Sequence, residues 1–490
     1  MNRRTFFRLT LPALLPIAAA PEGASVTAGC PAVPSEGPDP AETDVIVIGA
    51  GAAGLTAAAT AAEAGARAVV LEKEPRAGGN TAIGGGYFSV VNPEARRPAG
   101  VEDSLSLFYR QTIENGEGKS DPELARLLVT DALPAFTWLQ SIGMRFRPDA
   151  VASFGTPLAR TQRPVSHEGE SYIRALSVYA GSRGVRILTR RKAEKLLIAP
   201  SGRAAGVEYS LPDGGRKRIF ASRGVVIASG GFGANPDMVR EYAPEFSGLP
   251  TDNSPGATGD MIPAAVKAGA ALRDMGEIEC LPGTRPGGTL RGRLHGDASR
   301  YILVTKAGNR FIREDAPLTE LVRKILPLPG RMAYLVIDDD GFRSYSLQIQ
   351  EESVRAVETG DVIRADSIEE LARGFGIPAS ALRQTIDTYN RGVEEGRDRL
   401  GKSPEKLRQK NIHPPFWGTY APMAVHYTSG GIRIDTEARV IRESGSPIPG
   451  LFAAGEVTGG IHGASRLGGS GLTDAVVFGR IAGRNAARPR

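Results

Sequence analysis

Gly49, Gly51 and Gly54 stand in a Gly-x-Gly-x-x-Gly frame with Ala53 inside it, and Glu72 closes the next apolar run. That set can hold a dinucleotide. A glycine at the first position permits a tight turn, and one at the second lets the backbone approach a pyrophosphate. One at the third lets a helix pack closely on a strand, and the acid accepts from a ribose hydroxyl. The elements needed to position these residues are written around them. Asp44–Ile48 is a β-branched run of the kind buried on both faces of a parallel sheet, and an Ala-rich helical stretch continues through Ala64. Gly65 ends that helix, and Ala68–Leu71 reads as the second strand, delivering Glu72. The helix N-terminus supplies positive potential for phosphates.

The residues after Glu72 separate two cofactor classes. A nicotinamide-binding unit normally runs on to another strand. Here Lys73-Glu74 leads at once into Gly78-Gly79-Asn80-Thr81 and Gly84-Gly85-Gly86. A loop of this kind offers backbone amides to the pyrophosphate and ring of a longer cofactor, which points to FAD. Two more buried strands end in small residues: Arg223–Ile227 before Ala228-Ser229-Gly230-Gly231, and Gly450–Ala453 before Ala454-Gly455-Glu456. Ligands of open α/β sheets lie at the carboxyl ends of the strands, so these termini are expected to converge on the same molecule.

Length and composition bound the rest. A chain of 490 residues divides into two or three structural units. Its 61 Gly and 35 Pro are spread through patterned apolar sequence, so they imply tight turns rather than disorder. The net charge of +6 is mild and the basic residues are dispersed, which excludes a nucleic-acid partner. Arg3-Arg4-Thr5-Phe6-Phe7-Arg8 precedes an apolar stretch, Leu9–Ala20, that is too short for an integral membrane span and ends in Ala18-Ala19-Ala20. The pattern resembles a twin-arginine export signal, which predicts a periplasmic or otherwise extracytoplasmic location. Residues 21–40, rich in Pro, Gly and Ser, read as a flexible leader. The two cysteines, Cys30 and Cys280, are not expected to pair, because Cys30 lies in the leader. No Cys-x-x-Cys-His occurs, so the chain carries no c-type haem of its own.

Four segments, taken together, resemble the flavoprotein family of fumarate reductase and succinate dehydrogenase, which includes urocanate reductase and 3-ketosteroid dehydrogenases. They are DVIVIGAGAAGL with LEKEPRAGGNT, VVIASGGFGANPDM, GATGDMIPAAVKAGAAL, and GLFAAGEVTGGIHGASRLGGSGLTDAVVFGR. The resemblance runs from about residue 43 to the C-terminus and implies an α/β fold: a Rossmann-like FAD-binding domain interrupted by an α+β capping domain. On that basis residues 1–40 are the signal and leader, 41–275 and 428–490 the FAD-binding domain, and 276–427 the cap. Amphipathic helices are expected at Ser367–Phe375 and Pro378–Val393, and Ile302–Val304 with Asn309-Arg310-Phe311 resembles a strand and turn of the family's cap. The resemblance adds Asp260, Ser470 and Leu472 to the cofactor residues. Members that bind FAD covalently use a His just after this loop; Ala82-Ile83-Gly84 stands there, so the FAD is expected to be non-covalent.

The same resemblance gives His426 and Arg466 a purpose at the substrate. A guanidinium among glycines can meet a planar anion with two N–H groups and cannot lose its charge, and a nearby His can donate to the same carboxylate or carbonyl. His462, within the turn, is expected to be structural or flavin-side. The sequence also departs from the family. Leu318 stands where its fumarate reductases carry an Arg proton donor. Leu281, Arg293-Leu294 and Asp297 stand near the second carboxylate site. Fumarate and succinate are therefore not expected as substrates. Tyr427 is the first candidate for a replacement proton carrier, followed by Tyr301, Arg300 and His295, while Arg285, Arg291 and Arg293 could meet an anionic substrate. The resulting expectation is reduction or dehydrogenation of a carbon–carbon bond beside a carbonyl or carboxylate. Electrons would be exchanged with a separate quinone, a cytochrome or oxygen. Oxidation of a C–OH or C–N substrate, or a non-catalytic electron-transfer role, are the alternatives. No metal site is expected.

Overall fold

The computed structural model describes residues 37–489 except 98, 99, 101, 154, 155, 284–293 and 346. The Arg3-Arg4 segment, Cys30, and Arg285, Arg291 and Arg293 lie outside the described residues.

An eight-stranded sheet carries the nucleotide motif. Its centre is parallel: Glu42–Ile48 lies between Ala68–Leu71 and Arg216–Ile227, with Val47 opposite both Val70 and Val226. Pro447–Ala453 continues the sheet beyond Arg216–Ile227, and Arg186–Leu188 continues it beyond Ala68–Leu71. Val45, Val47, Val70 and Val226 are all buried, as β-branched runs covered on both faces require. The strand ending at Ile227 begins well before Arg223. Its earlier half alternates exposed and buried residues and forms an antiparallel ribbon with Ala204–Ser210 and Lys192–Ile198. That alternation is the pattern of a sheet solvated on one side.

The helix Ala52–Glu63 packs against the C-terminal helix Ser470–Ala486 at backbone distance. A Cβ on Gly479 would lie 2.7 Å from the Ala53 carbonyl oxygen, so glycine is required for the crossing. Residues about four hundred positions apart are thereby held on one platform.

A second sheet, largely antiparallel, is assembled from the middle of the chain: Ile278–Pro282, Ile302–Val304, Met332–Ile337, Val362–Ala365 and Phe416–Thr428. The last is thirteen residues long. It pairs with Met332–Ile337 and Val362–Ala365 through its first half and with Ile278–Pro282 through its second. The strand therefore leads from the centre of this sheet to the end that carries His426 and Tyr427. The two amphipathic helices span Ile368–Phe375 and Ala379–Glu395, and the first is capped by the Ser367 hydroxyl accepting from Glu370 N–H. Among the described residues no helix is long and apolar enough to cross a membrane.

Candidate active site

A cavity of about 660 Å³ lies at the carboxyl ends of the parallel strands and reaches the end of the long strand Phe416–Thr428. One half is made mostly of backbone. Gly49 takes φ +104°, and a Cβ there would collide with Ala228. A Cβ on Gly54 would overlap the Gly49 carbonyl oxygen, so this glycine serves helix–strand packing and does not line the cavity. By contrast, Gly51 would place a Cβ no closer than 3.7 Å to any atom, and Gly79 and Gly230 have nothing within 4 Å. These three line open space that a ligand can fill. The helix starting at Ala52 has no side-chain cap and no acid in its first turn, which leaves its end favourable to phosphate.

Glu72 is buried, and its carboxylate accepts from Ala50 N–H at 2.7 Å and Glu74 N–H at 2.8 Å. Burial raises its pKa, and those two amides oppose the rise. The acid thus shapes the glycine turn as well as facing the cavity. Lys73 and Asp260 are partners: Lys73 Nζ donates to Asp260 at 2.5 Å and to Thr258 Oγ1 at 2.6 Å. Burial works against the Asp260 carboxylate, but Lys73 outweighs it and its pKa is lowered. Thr81 Oγ1 accepts from Ala52 N–H at 3.1 Å. Asn80 donates to Asn253 at 2.6 Å and to Glu456 at 3.0 Å, and accepts from Ser254 N–H at 2.8 Å, tying three distant segments together. Ser229 Oγ is buried without a partner. An orphaned hydroxyl, open glycine faces and a helix end with no acid in its first turn are the features an FAD would satisfy, so these residues fit the group. Ala53, Gly85, Gly86, Ala228, Gly455 and Leu472 also line the cavity, whereas Ser470 is buried in the first turn of its helix and does not.

The other half is made of side chains. His426 Nδ1 lies 3.0 Å from both oxygens of Asp252. Arg466 sits with its guanidinium carbon 4.6 Å above the centre of the Tyr427 ring. Its Nη2 is 3.4 Å from Glu279 Oε1, and its backbone N–H donates to Glu279 Oε2 at 3.2 Å. Leu281, Leu318, Ile349 and His295 complete the wall on the side of the second sheet.

Several expected roles are corrected by placement. Although Tyr427 borders the cavity, its buried hydroxyl donates to Asp474 at 3.3 Å, which also meets His462 Nε2 at 3.3 Å. Burial pushes the Tyr427 pKa well above the usual phenol range, so the ring supports Arg466 and holds its proton. Tyr301 is wholly buried and away from the cavity, and Arg300 is paired with Asp297 at 3.1 Å over the Tyr345 ring. Neither faces the ligand space. His462 is buried behind Tyr427, in a structural position. Asp252, Asn253 and Glu279 join the site without having been marked by the sequence reading. The run Thr251-Asp252-Asn253-Ser254 before a Pro-Gly turn was the available signal for the first two. Glu279, a single acid in an apolar strand, gave none.

Comparison with known proteins agrees with this construction. The FAD binding domain family matches residues 44–472. A probable fumarate reductase of Shewanella frigidimarina is 32% identical over 452 residues, covering 91% of this chain and 75% of that protein. The urocanate reductase of Eggerthella lenta is 34% identical, with 91% and 75% covered. The chain spans only 48% of the length of the NADH:fumarate oxidoreductase of Klebsiella pneumoniae, to which it is 34% identical. Among solved structures, the open conformation of a flavocytochrome c3 fumarate reductase superposes with a TM-score of 0.75 at 31% identity, covering 93% of this chain and 79% of that one. A 3-ketosteroid-Δ4-(5α)-dehydrogenase from Rhodococcus jostii does so with 0.72 at 27% identity, covering 91% and 97%.

Proposed function

Because the chain belongs to the FAD-binding oxidoreductases that act on CH–CH groups, we propose that it reduces or dehydrogenates a carbon–carbon bond conjugated to one carbonyl or carboxylate, and that fumarate is not its substrate. The observation that carries this reading is the asymmetry of the cavity. Arg466 and His426 offer donors to one planar oxygen group, while Leu281 and Leu318 contribute apolar surface to the same lining and offer a second carboxylate none. In this reading residues 276–427 are the cap and the rest from 41 onward is the FAD-binding domain.

Held non-covalently by Gly51, Gly79, Gly230 and the segments around them, FAD would supply the hydride-transfer chemistry. The protein supplies binding and the proton. Arg466 and His426 meet the carbonyl oxygen and draw electron density from the β-carbon. With Nδ1 committed to Asp252, His426 presents Nε2, which has no partner among the described residues. The carboxylate orients the ring and commits Nδ1, so Nε2 is the atom of His426 through which a proton is exchanged with the substrate's carbonyl oxygen. Burial behind Arg466 keeps Tyr427 out of that exchange.

Electrons pass to or from a separate carrier, a quinone or a cytochrome, or to oxygen. The related proteins include a cytochrome-type fumarate reductase of Shewanella frigidimarina and an NADH-linked one of Klebsiella pneumoniae. The Arg3-Arg4 segment supports export by the twin-arginine route to the periplasm, which accords with loading of the cofactor before transport. The test of the reaction mixes FAD-loaded protein with reduced methyl viologen and a panel of fumarate, enoates and enones. Viologen oxidation by acceptors with a single carbonyl group, and not by fumarate, is expected. Silence across the panel, with flavin bleaching by a saturated alcohol or amine, would overturn the reading.

A further inference from the structure

Arg466 does not face the cavity as a free charge. Glu279, 4% exposed, lies against it from the strand Ile278–Pro282. One Glu279 oxygen is 3.4 Å from Arg466 Nη2; the other accepts from Arg466 N–H at 3.2 Å and from Ser465 Oγ at 3.3 Å. The carboxylate is therefore aimed by three contacts on the turn that carries Arg466, and it forms part of the cavity wall. Arg466 itself lines the cavity, so its guanidinium borders the ligand space while its positive charge is already met.

This distinction matters for what can bind. A carboxylate docking on Arg466 would bring a second anion beside the buried Glu279, in a cavity that Asp252 also lines. Like charges in such surroundings repel far more than in bulk solvent. A ketone, ester or amide oxygen accepts the same hydrogen bonds and adds no charge. The apolar wall of Leu281, Leu318 and Ile349 suits the body of such a molecule.

Resting on the reading of the reaction given above, we propose that Glu279 sets the charge selectivity of the site: by neutralising Arg466 it selects an uncharged conjugated carbonyl over a carboxylate. Glu279 is a positioning and specificity residue; the groups that touch the substrate remain Arg466 and His426.

Cinnamate and cinnamamide provide the test, since they match in shape and differ in charge. Their affinities for the FAD-loaded protein are read from the flavin visible spectrum, and kcat/KM from oxidation of reduced methyl viologen. Wild-type protein should prefer cinnamamide. Glu279→Gln should move the ratio toward cinnamate by about tenfold or more, mainly through the cinnamate affinity. Glu279→Asp, which keeps the charge, should restore the wild-type ranking, as a purely structural role would not require. Ser465→Ala removes one contact that aims the carboxylate and should give a smaller shift in the same direction, which covers the case of a Gln variant that fails to retain FAD. A ratio that stays within about threefold of wild type in both the Gln and Ala variants overturns the proposal. So does a wild-type preference for cinnamate. Binding with the expected ratios but no turnover would count against the reaction and leave the role of Glu279 standing.

Discussion

The two halves of the cavity are built on different principles. The cofactor half is a surface of backbone: glycines that leave space, a helix end with no acid in its first turn, and strand termini brought into line by hydrogen-bonded register. The substrate half is a set of side chains from segments far apart in the chain: Asp252, Glu279, His426 and Arg466. A backbone cradle depends on what the residues lack, and tolerates few changes. A side-chain site depends on what each residue presents, so single substitutions redirect chemistry while the fold survives. That division lets the cradle stay constant while leucines such as Leu281 and Leu318 shape the rest of the lining.

The largest effects test the cradle itself. Gly54→Val should abolish soluble, yellow protein, because its side chain would overlap the Gly49 carbonyl oxygen, at a cost of about 3 kcal/mol or more. A Cβ on Gly51 comes no closer than ordinary contact with Thr81 and Gly78, and its backbone at φ −79° accepts any residue, so Gly51→Val should fold and remain colourless. Thermal melting and flavin absorbance measured together check the pair. Equal loss of stability in both would erase the distinction between glycines that pack the fold and glycines that face the ligand.

Next in size is the contrast between Arg466 and the ring beneath it. Arg466→Ala should lower kcat/KM by roughly a hundredfold or more, since it removes preorganised donors from the site of developing charge. Tyr427→Phe removes one hydrogen bond to Asp474 and should cost no more than about 1 kcal/mol in stability and less than about tenfold in rate. Steady-state kinetics on both variants decides it; a collapse of activity in the Phe variant would return Tyr427 to the chemistry.

The smallest effect separates the Asp297 segment from the cradle by pH. Burial alone would raise the Asp297 pKa, but Lys406, the Ser299 amide and hydroxyl and Arg300 bring it down to about 2. A depressed carboxyl stabilises the folded state above its ordinary value near 3.8, and that contribution is lost as pH falls from about 4 toward 2. Asp297→Asn should therefore flatten the acid limb of the melting profile by about 1 kcal/mol while leaving the flavin spectrum at neutral pH unchanged.

The cradle was readable because its signals are local. A β-branched run, three glycines, an Ala-rich helix and a terminal acid occupy one short stretch, and each constrains its neighbours through period and turn. Gly54 could even be assigned to packing from its place in the frame. The substrate half was only half readable. His426 and Arg466 were marked by the residues around them, but the proton-transfer role expected of Tyr427 is one that its hydroxyl, turned to Asp474, does not support. Tyr301 and Arg300 stand at the cap edge in sequence, which suggests a place near the ligand, and packing carries them away from it.

Sequence by itself determined the parallel strands, the nucleotide turn and the cofactor class, because each is a property of residues within a few positions of one another. Tertiary structure alone decided that Asp252 would hold His426, that Glu279 would meet Arg466, and that Asp474 would take the Tyr427 proton donor. Those pairs join positions that no local pattern relates. Their partners are chosen by the crossing of the two terminal glycine-bearing helices and by the pairing of Ile278–Pro282 with Phe416–Thr428, which place side chains together only after the chain has folded.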